Sequence, residues 1–295
     1  MRKKNTIYVA IREGGTSMKK EILKRMVALS VALAVIPCGM ASAAIEEGSA
    51  TGTNAVAVGK DSVASGYQAV ALGKGAQAED GNAIAIGISA EATKANAITV
   101  GNGAQATNYG AFAVGLGAQA SGQDSIAVGD AAKTTGDSTI AIGDGAQATK
   151  SYAVAIGNGA IASGVQSSAV GMSSQAGEWG SAFGNQAKAT GSTSTAIGYQ
   201  ATAEGASSSA VGREAKATGK NSNAFGKSAT ASGANADAYG SNSKASESYA
   251  VAVGSWAEAT KKGATAVGSC ATASGESSTA LGYYAIASAD GAMAL

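Results

Sequence analysis

Residues 54–67 read NAVAVGKDSVASGY, and the fourteen that follow read QAVALGKGAQAEDG. The phrase returns almost to the last residue. This period constrains the fold more than any other feature, because so short a unit cannot bury its own apolar surface. Neighbouring copies above and below must do it. A glycine closes each apolar run: Gly59, Gly73, Gly87, Gly101, Gly115, Gly129, Gly143, Gly157, Gly171, Gly184, Gly198, Gly212, Gly226, Gly240, Gly254, Gly268 and Gly282. These anchors define 17 units, spaced by 14 residues except for the 13 between Gly171 and Gly184. An eighteenth anchor would fall one residue past Leu295, so the sequence reads as ending within a repeat.

Positions are counted from the anchor. Position −1 is large and apolar or aromatic in every unit, from Val58 to Leu281. Position −2 is Ala except at Thr99, and −4 is Ala, Ser, Gly or Thr. Position −3 is apolar as far as Val154 and then mostly polar, as at Ser168, Thr195, Asn223 and Asp237. Large and small residues alternating with period two read as a short strand covered on both faces. An Ala-rich helix is the rival, but each interior Gly would cost a helix about 1 kcal/mol. Positions +3 and +5 are small, mostly Ala, and enclose a variable residue such as Gln77, Glu91 or Lys133. That pattern marks a second strand with one wet face. A glycine often follows, as at Gly66, Gly122, Gly136, Gly164, Gly191 and Gly205, where it is expected to supply a positive φ at a corner.

The expectation is therefore all-β: a parallel β-solenoid, or β-roll, with 14 residues per coil and about 17 coils. Its length would be roughly 80 Å at about 4.8 Å per coil. With 42 Gly, three Phe and two Trp the composition also suits disorder, but a disordered tract has no reason to hold its apolar residues in register.

The small residues at −2 and −4 are expected to face the coil interior, against those of the second strand. The large residues then face outward, as a column too apolar for open solvent. Copies of the chain packed around an axis would cover it. The expected contacts are Val58, Leu72, Ile86, Val100, Val114, Val128, Ile142, Ile156, Val170, Phe183, Ile197 and Val211. The polar −3 residues of the second half would be tolerated at a hydrated axis.

The pattern (S/A)-h-A-h-G-x-x-A-x-A-x-G resembles the head repeat of trimeric autotransporter adhesins, the YadA-like family of Gram-negative bacteria, over about residues 50–295. The resemblance implies a left-handed β-roll and a homotrimeric rod. It also implies display at the cell surface, to attach to host extracellular matrix, host cells or other bacteria. The family carries a neck, a coiled-coil stalk and a membrane β-barrel after the head. No heptads and no alternating strands of about ten residues occur in this sequence, so a fragment of a longer adhesin or a secreted head is expected.

Residues 1–43 read as a signal peptide. Lys19, Lys20, Lys24 and Arg25 precede the apolar run Met26–Ile36 and an Ala41-Ser42-Ala43 cleavage site, with Met18 a second possible start. Residues 44–295 are the head repeats. The signal holds eight of the 21 basic residues and two of the 20 acidic ones, which leaves a formal net charge of −5 on the remainder. Charges there are scattered singly, without a basic stripe, so no nucleic-acid partner is expected.

Catalytic chemistry finds little to work with. There is no His, and Cys270 has no base beside it in the pattern. The Gly-x-Gly pairs, such as Gly115–Gly117 and Gly143–Gly145, lack a following Gly-Lys-Ser/Thr and read as turn glycines. No enzyme activity, cofactor, metal or small-molecule substrate is expected. Trp179 and Trp256 break the small-residue habit and are the candidate ligand contacts, although Trp179 lies in the one short unit, where a kink would serve as well. A self-associating fibre of a biofilm matrix is the alternative function. An ice-binding solenoid is the remote one, since the +4 position varies among Gln, Lys, Glu, Thr and Val rather than forming a Thr ladder.

Overall fold

The computed structural model describes residues 46–295. The signal-peptide reading of 1–43 lies outside them. Each coil contributes a three-residue strand ending at −1 and a two-residue strand at +4 and +5. The first coils run β1 (Ser49–Ala50), β2 (Val56–Val58), β3 (Val63–Ala64) and β4 (Val70–Leu72). The pattern continues to β36 (Met293–Ala294), which gives two parallel sheets of 18 strands each. Both sheets are open ladders in which every strand pairs with the equivalent strand of the next coil. Val70 lies opposite Ile84, and Gln77 opposite Glu91. The solenoid thus has about 18 turns, β1 and β36 adding partial coils to the 17 anchored units.

The interior is made almost wholly of alanine. Ala69, Ala71, Ala76 and Ala78 of one coil are each fully buried, and the same four positions repeat along the rod. The side-chain directions follow from the pleat, which sends −2 and −4 inward and −1 and −3 outward. The largest fully buried side chains are Thr99, Thr134 and Thr139. A buried hydroxyl needs a partner, and at several positions the turn supplies one, although Ser208 has none. Ser125, Thr139 and Ser167 donate to the carbonyl three residues back, at 2.7 Å.

Two turns of the same kind close each coil. In the first, the Ala76 N–H donates to the Gly73 carbonyl at 3.2 Å, with a positive φ at Gly75. In the second, the Ala83 N–H donates to Asp80 at 3.1 Å, with a positive φ at Asn82. These are the features of a type II turn. The N–H groups of Gly75 and Asn82 then donate to the previous coil, at Lys60 and Tyr67, so the turns stack along with the strands.

The structure corrects the role expected of Gly66 and its equivalents. They do not carry the positive φ, which falls two residues later, for example at Gln68 (φ 55°). Gly66 provides room instead, since a Cβ there would collide with the backbone of Asp80. The short unit does not break the register either. Ser168 still pairs with Ser181 and Gln175 with Lys188. The missing residue is taken from the segment entering the second turn, and the Gly180 N–H still donates to Gly177 at 3.0 Å.

Candidate functional site

With the interior closed by alanine, any binding function must lie on the outer faces. The three-residue strands put the twelve expected contact residues on one straight ladder. It runs from Val58 opposite Leu72 to Ile197 opposite Val211. Phe225, Tyr239, Val253, Val267 and Leu281 continue it. All point outward. Ile142 is 40% exposed and Ile197 42%, whereas Leu72, Val114, Val128, Val170 and Val211 are half-buried by their neighbours. Beside this column runs the −3 column, with Val56, Val70, Ile84, Ile98, Phe112, Ile126, Ile140 and Val154 in succession. In the first half the outward face of the long-strand sheet is therefore apolar across its width. In the second half the −3 column turns polar, and Asn223 donates to the Asp237 carboxylate at 2.8 Å.

Phe225 and Tyr239 stack on this face, with ring centroids 5.4 Å apart and planes 13° from parallel. Partial burial, and then the nearby Asp237 carboxylate, hold the Tyr239 phenol above its usual pKa. The folded chain grips that proton harder than the unfolded one. The associated stability is complete below the unfolded value of about 10 and is lost as pH rises through the folded value. A Tyr239→Phe variant should therefore show a flatter loss of thermal stability above pH of about 10 than the unsubstituted protein.

The two tryptophans do not form one site. Trp179 lies in the turn leading into a long strand and Trp256 in the turn leading out of one, five coils further along. Both sit at left-handed backbone positions, with φ of 50° and 61°, and both are about half exposed. Bulky side chains are costly there, by roughly 1–2 kcal/mol. Asn occupies the same turn position in the previous coil, at Asn242. A Trp256→Asn variant should accordingly gain about 0.5–1 kcal/mol, read as a higher Tm.

The sequence reading missed the alignment of charge. Cations that stand singly in the chain are brought into line by the coil, since a spacing of 14 or 28 residues becomes vertical stacking. Lys188, Lys216 and Lys244 occupy one outward column of the short-strand sheet. Reading the +4 position down the repeat, rather than along the chain, would have found them. Among the described residues no three His, Cys, Asp or Glu side chains come together as metal ligands would.

A closed alanine core, two parallel sheets and one outward apolar column define a β-roll rod. The family model of the YadA head domain repeat matches residues 50–76, 64–90, 81–104, 120–146, 148–174, 180–201, 189–215, 203–229, 217–243, 238–255, 245–271 and 273–295. Among solved structures, the chain is similar to the crystal structure of the collagen-binding domain of the Yersinia adhesin YadA. Identity is 23% over 64% of this chain and 67% of that one, with a TM-score of 0.22. No curated protein matches the chain. The chain belongs to the YadA head domain repeat family.

Proposed function

We propose that residues 44–295 form the head of a cell-surface adhesin, exported with the help of residues 1–43, and that three copies pack their long-strand sheets together. One observation carries the reading: the unbroken outward apolar column from Val58 to Leu281, on a sheet that nothing among the described residues covers. A monomer would expose this surface along its whole length, which soluble monomers avoid. Packing long-strand sheets inward turns the short-strand sheets outward, where their Gln, Lys, Glu and Thr side chains meet the partner. That partner is extracellular matrix or a cell surface, and the role is binding rather than catalysis. Each contact is weak. Attachment comes from many coils and three chains acting together.

Two measurements test this. Sedimentation of the purified protein should give a trimer at micromolar concentration, and a folded monomer would contradict the assembly. Matrix-coated surfaces should retain the protein. Growth into long fibres without matrix binding would favour the biofilm role instead.

A further inference from the structure

The short-strand sheet carries, over five successive coils, the outward series Lys188, Thr202, Lys216, Thr230, Lys244. Each member pairs in register with the next: Lys188 with Thr202, Thr202 with Lys216, Lys216 with Thr230, and Thr230 with Lys244. The lysines are exposed and the threonines half-buried. The cations are therefore two coils apart, about 9.6 Å at the usual strand spacing. Alternation keeps like charges off adjacent strands, where they would repel.

A shallow groove runs along the first four members of this series, with Lys244 one coil beyond its end. Gln186, Gln200, Glu214 and Ser228 form one wall, and Lys188, Thr202, Lys216 and Thr230 line the other side. The wall side chains are tied to one another along the rod. Gln200 donates to Gln186 at 2.8 Å, and Ser228 to Glu214 at 3.2 Å. The one carboxylate in the groove, Glu214, is also matched by Arg213 at 3.6 Å, the only ion pair among the described residues. The three lysines have no such partner. Glu204 stands on the far flank of Thr202, and Glu258, one coil beyond Lys244, ends the series.

We propose that this groove is a binding track for a linear sulfated polysaccharide. The proposal deepens the attachment reading by naming a ligand class. A repetitive, flat, hydrophilic groove with evenly spaced cations offers no pocket for a folded partner. It suits an extended chain whose sulfates recur once per sugar repeat. Duplex DNA fits less well, with one phosphate every 3.4 Å or so along each strand. Single-stranded nucleic acid is bound on stacking aromatics, and none lines this groove. Threonine hydroxyls and glutamine amides between the lysines donate to sulfate and hydroxyl groups without adding charge.

The test uses the full-length protein and heparin as the probe. Heparin should bind, and should weaken as salt rises, because exposed charges are screened over about 8 Å at physiological ionic strength. The triple variant Lys188→Gln, Lys216→Gln, Lys244→Gln should lose at least tenfold in affinity. A charge-matched control, Lys60→Gln, Lys74→Gln, Lys94→Gln, should lose less than twofold. The Lys→Arg version of the track should bind as the unsubstituted protein does, which also shows that the track positions tolerate substitution. Equal losses in the two Gln triples, or no heparin binding, would overturn the track. Duplex DNA bound as tightly as heparin, and lost with the same lysines, would overturn the assignment to a polysaccharide. Matrix retention without heparin binding counts against this proposal alone. Heparin binding without matrix retention counts against the attachment reading alone.

Discussion

Gly143→Ala should cost the rod about 3 kcal/mol or more, while Gly145→Ala, two residues away in the same turn, should cost about 1 kcal/mol. The two glycines answer different demands. Gly143 has a φ of 131°, which L side chains rarely adopt, and a Cβ there would lie 2.6 Å from both the carbonyl carbon and the oxygen of Gly157. Those atoms are backbone, fixed by the ladder, and cannot give way. Gly145 has a φ of 63° with nothing within 4 Å of its would-be Cβ. Ala131 already stands at the equivalent place one coil earlier, with a φ of 49°.

Because each coil touches only its neighbours, damage at Gly143 should divide the rod rather than lower its stability evenly. Thermal unfolding followed by far-ultraviolet circular dichroism should show a broadened or split transition. Limited proteolysis should cut near the substituted coil. Equal behaviour of the Gly143 and Gly145 variants would remove the close-approach explanation for the glycine column.

That column shows why so much of the fold is legible in the sequence. In a solenoid each position sits against its own copy in the next coil, so one local requirement is written out once per coil. The alanine interior is read in the same way, since a coil of 14 residues has room for little else. Less legible are features that depend on direction rather than size. The left-handed turn positions accept Asp61, Ser89, Ala131, Glu214, Trp256 and Cys270 alike, so no residue type marks them. Gly66 looks like a φ requirement in the sequence and proves to be a spacing requirement. The lysine column is invisible along the chain because its members stand 28 residues apart, on alternate coils. The apolar ladder at −1 is legible as a surface needing cover, but a repeat read along one chain does not say what covers it.

The paired substitution Ile142→Glu and Ile156→Glu addresses that cover directly and should abolish the trimer. The two residues are neighbours on the ladder, and each is close to two-fifths exposed in the single chain. Were the rod to work alone, both carboxylates would sit in water. The expected cost would then be within about 0.5 kcal/mol per site, plus a small repulsion between adjacent strands. Under three packed long-strand sheets, the same change buries six carboxylates without counterions. A buried unpaired charge is far costlier than a surface substitution. Sedimentation should then show monomer in place of trimer, or circular dichroism should show that the chain no longer folds, if the monomer cannot stand alone. The control is Gln147→Glu with Ile161→Glu, a neighbouring pair on the outward face of the short-strand sheet. It adds the same two charges per chain at nearby coils and should leave the assembly intact. Matrix retention should fall with the first pair, because attachment by many weak contacts depends on three chains being held together. If both pairs leave a trimer, or both destroy it, the long-strand face is not the one that the sister chains share.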